Sequence, residues 1–512
     1  MKGVCTIFIF MVLTYPVYIR ANSMHMHQRR GVSCPKGCQC QPAYLSHTLM
    51  ARWFDREQNL RATLCVLQQE THIQKLFDEI PLATEMLTIL QAPDAPNSTI
   101  TESMLSRLPK LQGIDFQGSG QNPYKLNLGP CAFRQLHSLQ YISLQKVNFM
   151  GNKVFDGLKT VEVLQISECD IEVLSWRLLA ELSSLQEIAL VRNGISFLED
   201  FAFYGTPDLK RLSLSHNNIM TLQAEALVGL LKLEVLDLSN NNLDRISGVS
   251  FPPLPHLQWL ELKHNPIEVI FPNCFQFLNG TYRLSLGHAE KSIHLIKFSF
   301  RGLENLIYLH IPNVNNDILL EHMFYGLNSL THLTLEGRIT AIGDRAFVGA
   351  HRRLERLSLH KCKLIRIARD AFHGLHLLIS LDLSSNKLRG ISRHSFENLE
   401  RLRELILNDN MLHILPNEVF LLPQLRSLRL DSNSWNCTCG MASWSEDVTT
   451  RVRRVLSNPC PLGNQKANCM GFESAYVVDP RVTPRCDYPP QIRGRTVYEA
   501  IRHHLDCYKR NE

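Results

Sequence analysis

The stretch LEVLDLSNNNL, residues 233–243, returns in close paraphrase as LISLDLSSNKL at residues 378–388. Both follow the pattern L-x-x-L-x-L-x-x-N-x-L, and leucine or a stand-in opens fifteen such units along the chain. From Leu185 onward the units begin 24 or 25 residues apart, with a last step of 23. Because one unit is too short to bury its apolar side alone, the chain is predicted to fold as a stack of repeats. The units begin at Leu87, Leu111, Leu139, Val161, Leu185, Leu209, Leu233, Leu257, Thr281, Leu306, Leu330, Leu354, Leu378, Leu402 and Leu425.

The alternating apolar positions predict one short strand in each unit, with the leucines on its inner side. Stacking places the strands side by side in a parallel sheet that, at about 4.8 Å per strand, would be roughly 70 Å long. Phenylalanines in the second half of the units, as in AFRQL (132–136) and AFHGL (371–375), predict ring packing beneath short turns or helical pieces. The predicted fold class is therefore an α/β repeat, a curved horseshoe-shaped solenoid with a parallel sheet on its concave face.

An asparagine recurs at the ninth position of the unit, where the chain turns inward from the strand. A buried amide is tolerable there only if it hydrogen-bonds to backbone groups of neighbouring units, so a ladder of asparagines is predicted. Cys169 and Cys362 occupy the same position and are predicted to be buried structural thiols. The asparagines are Asn193, Asn217, Asn241, Asn265, Asn386, Asn410 and Asn433.

The repeat resembles that of the leucine-rich repeat proteins, here predicted over residues 87–435, and both ends resemble the cysteine caps of extracellular members of that family. Upstream, CPKGCQC (34–40) followed by Cys65 is similar to the N-terminal cap, predicted over residues 34–80. The resemblance implies the disulfides Cys34–Cys40 and Cys38–Cys65. The sequence departs from the family by placing 24 residues between Cys40 and Cys65, a longer interval than is usual.

Downstream, NSWNCTCGMASW (433–444) together with two later cysteines resembles the C-terminal cap of the same family, predicted over residues 436–486. This resemblance implies the disulfides Cys437–Cys460 and Cys439–Cys486. Cys469 and Cys507 then remain. They either join each other, which would hold the tail on the cap, or Cys507 links two chains.

Residues 1–23 have the pattern of a secretory signal peptide, in which a lysine precedes an apolar run and small residues follow. Removing Cys5 with this segment leaves fourteen cysteines, an even number suited to an oxidising compartment. No later segment is apolar for long enough to span a bilayer, and the polar C-terminus carries no glycolipid-anchor signal. The sequence therefore predicts a secreted, extracellular protein. N-glycosylation is predicted at Asn97, Asn279 and Asn436.

Catalysis is not predicted, because the chain contains no phosphate-binding glycine loop, dinucleotide fingerprint, HExxH motif or nucleophile elbow. The histidines of MHMH (24–27) and His503–His504 are predicted to lie on a solvated terminus and a helix face rather than to bind a metal ion. No enzyme activity, cofactor or metal is therefore predicted. Nucleic acid is not an expected partner outside the cell.

Function is predicted to lie on the concave face, where the third, fifth and seventh positions of each unit point outward and the eighth lies beside them. From the eighth to the twelfth unit these positions carry aromatic, arginine and histidine side chains, of which the aromatics and arginines anchor protein interfaces. The predicted ligand-binding residues are Trp259, His264, Arg283, His288, Tyr308, His310, His332, Arg356 and His360.

The same units break the asparagine rule, because Ala289, Val314 and Arg338 stand at the ninth position. Local exceptions of this kind often mark functional or strained sites. The alternative is a drifted, slightly bent segment whose polar side chains are merely solvated.

A second candidate surface is the basic C-terminal end, where residues 451–512 hold eleven Lys/Arg against six Asp/Glu in a chain of formal net charge +6. Arg451, Arg453 and Arg454 are predicted to bind heparin-like glycans or acidic partners. In the basic tail, 487–512, Val497, Ile501 and Leu505 predict a short amphipathic helix that docks on the cap or binds a partner.

Two functions follow from these patterns. The favoured one is a secreted binding or adhesion protein that engages an extracellular protein ligand or cell-surface receptor through its concave face. The alternative is an extracellular-matrix structural protein that binds heparan sulfate through its basic end. The oligomeric state is left open.

Overall fold

The structure is a computed structural model of the chain, and it describes residues 34–44, 59–120, 124–455, 474–505 and 507. The predicted signal segment, the MHMH histidines, Cys460 and Cys469 lie outside the described residues. Within the described part, fifteen repeat strands lie side by side in parallel, and corresponding positions of successive coils pair with each other. The predicted solenoid with a parallel concave sheet is confirmed.

The concave sheet contains one strand from every predicted repeat, preceded by two strands of the N-terminal cap, Cys38–Tyr44 and Asn59–Leu67. The repeat strands are Met86–Gln91, Gly113–Gln117, Tyr141–Gln145, Val163–Ser167, Glu187–Val191, Arg211–Ser213, Val235–Asp237, Trp259–Glu261, Arg283–Ser285, Tyr308–Leu319, His332–Ile342, Arg356–Ser358, Ser380–Asp382, Glu404–Ile406 and Ser427–Arg429.

The outer side is built from turns, short helices and two- or three-residue strands. Its α-helices are Ile73–Glu79, Glu102–Leu105 and Trp176–Leu179, and its 3₁₀ helices are Ala224–Leu227 and Asn417–Leu421. Its short strands are Ser98–Ile100, Leu126–Leu128, Val147–Phe149, Val173–Leu174, Phe197–Leu198, Arg245–Ile246, Val269–Ile270 and Arg366–Ile367.

Leucines and phenylalanines fill the space between the two sides. Nearly all of the repeat leucines are buried, with Leu425 of the last repeat only partly so, and most of the phenylalanines of the second half-units are buried as well. These rings stack from coil to coil, as Phe324 does on Phe347 with centroids 5.6 Å apart and planes 15° from parallel. Phe347 and Phe372 continue the stack at 6.0 Å. Each buried aromatic side chain contributes about 1.5–3 kcal/mol of hydrophobic stabilisation, so the stack is a major part of the core.

The predicted asparagine ladder is present. The Asn241 amide nitrogen donates to the carbonyls of Leu214 and Leu238, at 2.9 and 3.0 Å, and its oxygen accepts from the Ile219 N–H at 3.1 Å. One side chain therefore satisfies backbone groups of its own coil and of the preceding one. Just before these asparagines the backbone turns through a left-handed residue, such as Asn240 with φ 55°.

Cys169 and Cys362 occupy ladder positions as buried free thiols, as predicted. The Cys362 Sγ donates to the Leu335 carbonyl at 3.0 Å. Burial raises the pKa of both thiols to about 12, which leaves them protonated and unreactive at neutral pH. Cys131 and Cys274 are also free, so the even cysteine count did not mean that every cysteine is bridged.

The ladder is interrupted at Ala289, Val314 and Arg338. At Val314 and Arg338 the structure continues the strands instead, whereas the strand before Ala289 ends at Ser285. Tyr308–Leu319 and His332–Ile342 run through the region where the other coils turn, and they pair along most of their length with a bulge between Ile311 and Val314. Backbone groups that an asparagine would satisfy therefore bond to each other. Asn316, two residues after the usual position, is buried and bonds to the Leu295 backbone through both amide atoms.

The N-terminal cap contains the disulfides Cys34–Cys40 and Cys38–Cys65, as the family resemblance implies. Its two strands pair antiparallel, with Cys38 opposite Cys65. Asn59–Leu67 then pairs in parallel with Met86–Gln91, so the cap extends the concave sheet and covers its first coil.

The C-terminal cap is bridged differently from the prediction. The structure joins Cys437 to Cys486 and Cys439 to Cys507, so the predicted pairs Cys437–Cys460 and Cys439–Cys486 are wrong. The strand Trp435–Asn436 pairs with Cys486–Tyr488, and the Cys437 N–H donates to the Tyr488 carbonyl at 2.8 Å. This pairing brings Cys437 beside Cys486 and leaves Cys439 free to reach the tail.

The predicted tail helix is Val497–His503, and it packs on the cap with Val497 and Ile501 buried. The Tyr498 hydroxyl lies 2.6 Å from Thr449 Oγ1, and Arg502 pairs with Glu446 at 2.6 Å. Docking of this helix carries Cys507 to Cys439, which makes the helix part of the cap. The other cap elements are the helix Glu446–Thr449, the strands Arg451–Val455 and Ser474–Val478, and the 3₁₀ turns Cys439–Ser443, Pro480–Val482 and Pro490–Ile492.

Candidate functional site

Five of the predicted binding residues form one row across the middle of the concave sheet. They stand at the third position of consecutive repeat units, where each begins its strand, and each pairs with the next: Trp259, Arg283, Tyr308, His332 and Arg356. These five residues are called the central strip below. At about 4.8 Å per parallel strand, the row is about 19 Å long.

Contacts within the central strip keep its rings and guanidinium groups close together. The Arg283 guanidinium lies 3.9 Å from the centroid of the Trp259 ring, a cation–π arrangement. The Tyr308 and His332 rings are 6.1 Å apart, and Tyr308 is half exposed. The Trp259 indole nitrogen is buried and has no hydrogen-bond partner among the described residues. The strip therefore offers aromatic faces and positive charge.

The two residues at the C-terminal end of the strip, His332 and Arg356, have lower pKa values than exposed residues of the same type. Burial lowers the pKa of His332, and the positive charge of Arg356 lowers it further. Burial also lowers the pKa of Arg356, with a further contribution from Arg453. His332 therefore stays neutral to a lower pH than a free histidine would.

The other predicted histidines lie beside the strip or at the strand ends. His310 is at the fifth position of its coil, with Nε2 3.5 Å from Glu336 Oε1. His360 Nδ1 lies 2.8 Å from Ser384 Oγ. His264 occupies the left-handed turn after its strand, with φ 60°. His288 Nδ1 accepts the backbone N–H groups of the next turn, those of residues 290 and 291. That bond gives His288 a local structural role.

The sequence reasoning named three arginines of Arg451–Val455 as a glycan site but missed that this segment forms a cap hairpin with Ser474–Val478. This hairpin lies beside the last repeat strand, where the Ser427 hydroxyl donates to the Arg451 carbonyl at 2.6 Å. Its Arg453 reaches Glu404, with Nη1 3.9 Å from Oε2. Glu404 belongs to the same row of positions as the central strip, two coils beyond it. The alternation in RVRRV was the available sequence signal, but it does not reveal where the strand lies.

The family described as "Leucine rich repeat" matches residues 183–243, 231–290, 337–388, 352–412 and 380–434. Those segments coincide with coils of the concave sheet. The chain is built from leucine-rich repeats. It is 29% identical over 247 residues to trophoblast glycoprotein of Macaca fascicularis, covering 47% of this chain and 51% of the relative. It is 28% identical over 159 residues to CD180 antigen of Mus musculus, covering 30% of this chain and 24% of that relative.

Solved structures show the same fold. The glycosylated form of the Toll–Spatzle complex of Drosophila matches with a TM-score of 0.56 at 18% identity, covering 78% of this chain and 55% of the matched chain. This leucine-rich repeat protein spans about half of the length of trophoblast glycoprotein and about a quarter of CD180 antigen.

The basic C-terminal end of this leucine-rich repeat protein does not form the predicted cationic cluster. Arg451 pairs with Asp447 at 2.5 Å, and Arg453 faces Glu404 on the concave side. Arg454 is exposed, and as the neighbour of Arg453 in the same strand it lies on the opposite face. Further along the cap, arginines pair with nearby carboxylates, as Arg481 does with Asp479 at 2.8 Å. This geometry does not support a heparan sulfate site built from the three arginines.

The remaining predicted features have defined positions. The sequon residues Asn97, Asn279 and Asn436 are exposed, and their glycosylation stays a prediction. His503 and His504 are exposed at the end of the tail helix. In the part of the chain that the structure describes, no three metal-ligating side chains converge, and no helix has the length and apolar character needed to cross a bilayer.

Proposed function

We propose that this leucine-rich repeat protein is a secreted binding protein that engages an extracellular protein or a receptor ectodomain through the central strip. The observation that carries the proposal is the row of aromatic and guanidinium side chains on adjacent strands. One coil further along, the same row continues with Ser380 and then with the buried Glu404. Tryptophan, tyrosine and arginine dominate the energetics of protein interfaces, so the strip is the part of this sheet best suited to a protein partner.

Four disulfides among the described residues support an extracellular location, because such bonds persist in oxidising compartments. The signal-peptide pattern of residues 1–23 favours the same route. Expression of the full sequence in animal cells should deliver the chain to the medium without its first 20 or so residues. Retention of the uncleaved chain inside the cells would contradict the secreted form of the proposal.

An interaction screen with the purified chain against a panel of extracellular proteins tests the binding role. Any partner found should then be measured against Trp259→Ala, which removes the largest ring of the strip. A matched control is Trp176→Ala, since Trp176 is an exposed tryptophan on the outer side with the Arg177 guanidinium 5.6 Å from its ring.

We expect Trp259→Ala to weaken binding by about 2 kcal/mol or more, the size of an interface hot spot. Trp176→Ala should change it by less than about 0.5 kcal/mol. A partner whose affinity is insensitive to Trp259→Ala binds elsewhere, on the outer side or the caps, and would overturn the assignment to the central strip.

A further inference from the structure

Charge is unevenly satisfied on the concave face around the central strip. The carboxylates there are engaged by neighbouring groups: Asp382 accepts from the Ser384 N–H and hydroxyl, at 2.9 and 2.6 Å, and Glu261 accepts from the Lys263 N–H at 3.2 Å. By contrast, Arg283 and Arg356 have no carboxylate within ion-pair distance among the described residues. On this face the carboxylates therefore have hydrogen-bond partners, whereas two arginines have no ion-pair partner.

The charge of Arg356 is the less well stabilised of the two, because the residue is half buried and lies close enough to Arg453 of the cap hairpin for the two charges to repel. Glu404 and Glu355 partly balance this group from beyond ion-pair distance. Glu404, however, already accepts the Ser380 hydroxyl at 2.9 Å and lies 3.9 Å from Arg453. A partly desolvated guanidinium gains more from an incoming carboxylate than an exposed one does.

Arg283 presents its charge in a different setting. Its guanidinium covers the Trp259 ring at 3.9 Å, which holds the group in place on an exposed side chain. The buried Trp259 indole N–H beside it lacks an acceptor. An anionic group that reached this end of the strip would therefore meet a cation that is already held in position.

The spacing between these two cations limits the shape of the ligand. Arg283 and Arg356 are three strands apart, about 14 Å at the backbone, and the Tyr308 and His332 rings lie between them. An extended peptide advances about 3.4 Å per residue, so acidic residues four positions apart would span this distance.

Building on the proposed function, we propose that the central strip binds an extended acidic segment of its protein partner, with two carboxylates four residues apart placed at Arg283 and Arg356. The residues between the two carboxylates lie on the Tyr308 and His332 rings. The cap hairpin bounds the segment at its Arg356 end, where Arg453 adds a third positive charge.

A peptide fits the strip better than a sulfated glycan does. The strip has two arginines without ion-pair partners, separated by rings, whereas a glycan with a sulfate on most sugars would need a continuous run of cations. Aromatic faces between the arginines match side chains and peptide groups. Binding of a heparin fragment is therefore used as a competing outcome in the test.

The test is selection of a displayed library of random twelve-residue peptides on the purified full chain, followed by affinity measurement with synthetic copies of the enriched peptides. Binding is compared for the native chain, Arg283→Gln, Arg356→Gln and Trp259→Ala. Arg177→Gln is the matched control, because Arg177 also lies over a tryptophan but on the outer side. Circular dichroism melting confirms that each variant is folded.

We expect enriched peptides to carry Asp or Glu at positions i and i+4, and to bind at least about tenfold more weakly to Arg283→Gln and to Arg356→Gln. Arg177→Gln should change affinity less than about twofold. Replacing one acidic residue of the peptide by its amide should remove the sensitivity to one of the two arginine variants and leave the other.

Three results would overturn the acidic-segment proposal: no enrichment of acidic peptides, acidic peptides indifferent to both arginine variants, or a heparin fragment whose binding alone depends on both arginines. Enriched neutral peptides that lose binding with Trp259→Ala would leave the concave binding function standing while refuting this inference. Enriched peptides indifferent to Trp259→Ala and to both arginine variants would refute both proposals.

Discussion

At the scale of single residues, the asparagine ladder makes the sharpest stability prediction. Asn240, Asn241 and Asn242 are consecutive, but only Asn241 places its amide among backbone groups of two coils. Replacing Asn241 with alanine should lower the free energy of unfolding by about 1–3 kcal/mol, because buried donors and acceptors lose their partners. Urea denaturation followed by circular dichroism measures the change.

Asn242→Ala is the matched control for the ladder, since Asn242 is exposed and only its backbone N–H is used, in a bond to the Ile219 carbonyl. Its effect should be within about 0.5 kcal/mol. Equal losses in the two variants would mean that the ladder contributes no more than any surface asparagine.

Asp115, on the concave face of the second coil, should make stability depend on pH. Burial raises its pKa to about 6, against the opposing effects of Ser143 and Gln117, and its Oδ1 has no hydrogen-bond partner among the described residues. The folded chain therefore binds a proton more readily than the unfolded chain, and this group destabilises the fold more as the pH rises from about 4 to above 6.

At pH 7.5, Asp115→Asn should consequently raise the free energy of unfolding by at most about 3 kcal/mol, and the melting temperature should rise with it. The difference between variant and native chain should shrink towards pH 4, where both side chains are neutral. The exposed Asp94→Asn is the control and should show no such dependence. A gap that is constant over this pH range would contradict a proton uptake at Asp115.

At the scale of secondary-structure elements, the two long strands Tyr308–Leu319 and His332–Ile342 depend on a glycine. Gly337 has φ 128°, and a Cβ there would lie 2.4 Å from the Val314 carbonyl oxygen and 2.6 Å from its nitrogen. Gly337→Ala should therefore push the strands apart and cost more than about 1 kcal/mol. Thermal melting should show this loss, whereas Gly390→Ala, with open space around it and no positive φ, should not.

The C-terminal cap provides the second prediction about elements. Cys507→Ser should remove the bridge to Cys439 and release the tail helix from part of its anchorage, at a cost of about 2–4 kcal/mol. Peptide mapping without reduction should recover Cys437–Cys486 and Cys439–Cys507 from the native chain. A native chain that runs as a disulfide-linked dimer, lost in Cys507→Ser, would contradict the intrachain bridge.

At the scale of the whole molecule, the distribution of charge predicts weak and diffuse heparin binding. Replacing Arg451, Arg453 and Arg454 together by glutamine should move elution from a heparin column no further than replacing Arg352, Arg353 and Arg369, which are exposed on the outer side. The reason is that Arg451 and Arg453 already face Asp447 and Glu404. Both variants should elute from the column well below about 1 M salt, where the Debye length falls to about 3 Å and attraction between exposed charges is screened.

A distinctly larger shift for the variant with the three cap arginines replaced would restore the glycan-binding alternative.

The geometry of the whole molecule also explains why the cap and the concave face have to be considered together. The cap hairpin brings Arg453 to the row that contains the central strip, so Arg453 of the cap and Glu404 of a repeat act on one surface although they are far apart in the sequence.

The repeat array could be predicted from sequence because each coil contacts its neighbours in chain order. Period, leucine positions and asparagines therefore report the packing directly, as the fifteen strands and the Asn241 bonds confirm. The row Trp259 to Arg356 followed from the same register. The N-terminal bridges also matched, since Cys38 and Cys65 lie on paired strands next to the first coil.

Only the tertiary structure decided the features that depend on contacts between distant segments. The partner of Cys439 was set by docking of the tail helix, and the place of Arg453 was set by a hairpin folded beside the last strand. The exceptions at Val314 and Arg338 became extended strands because two adjacent coils lost the asparagine together and could bond to each other. The repeat period predicts contacts between corresponding positions of neighbouring coils. The contacts described here join segments that do not follow the period, so the sequence pattern does not predict them.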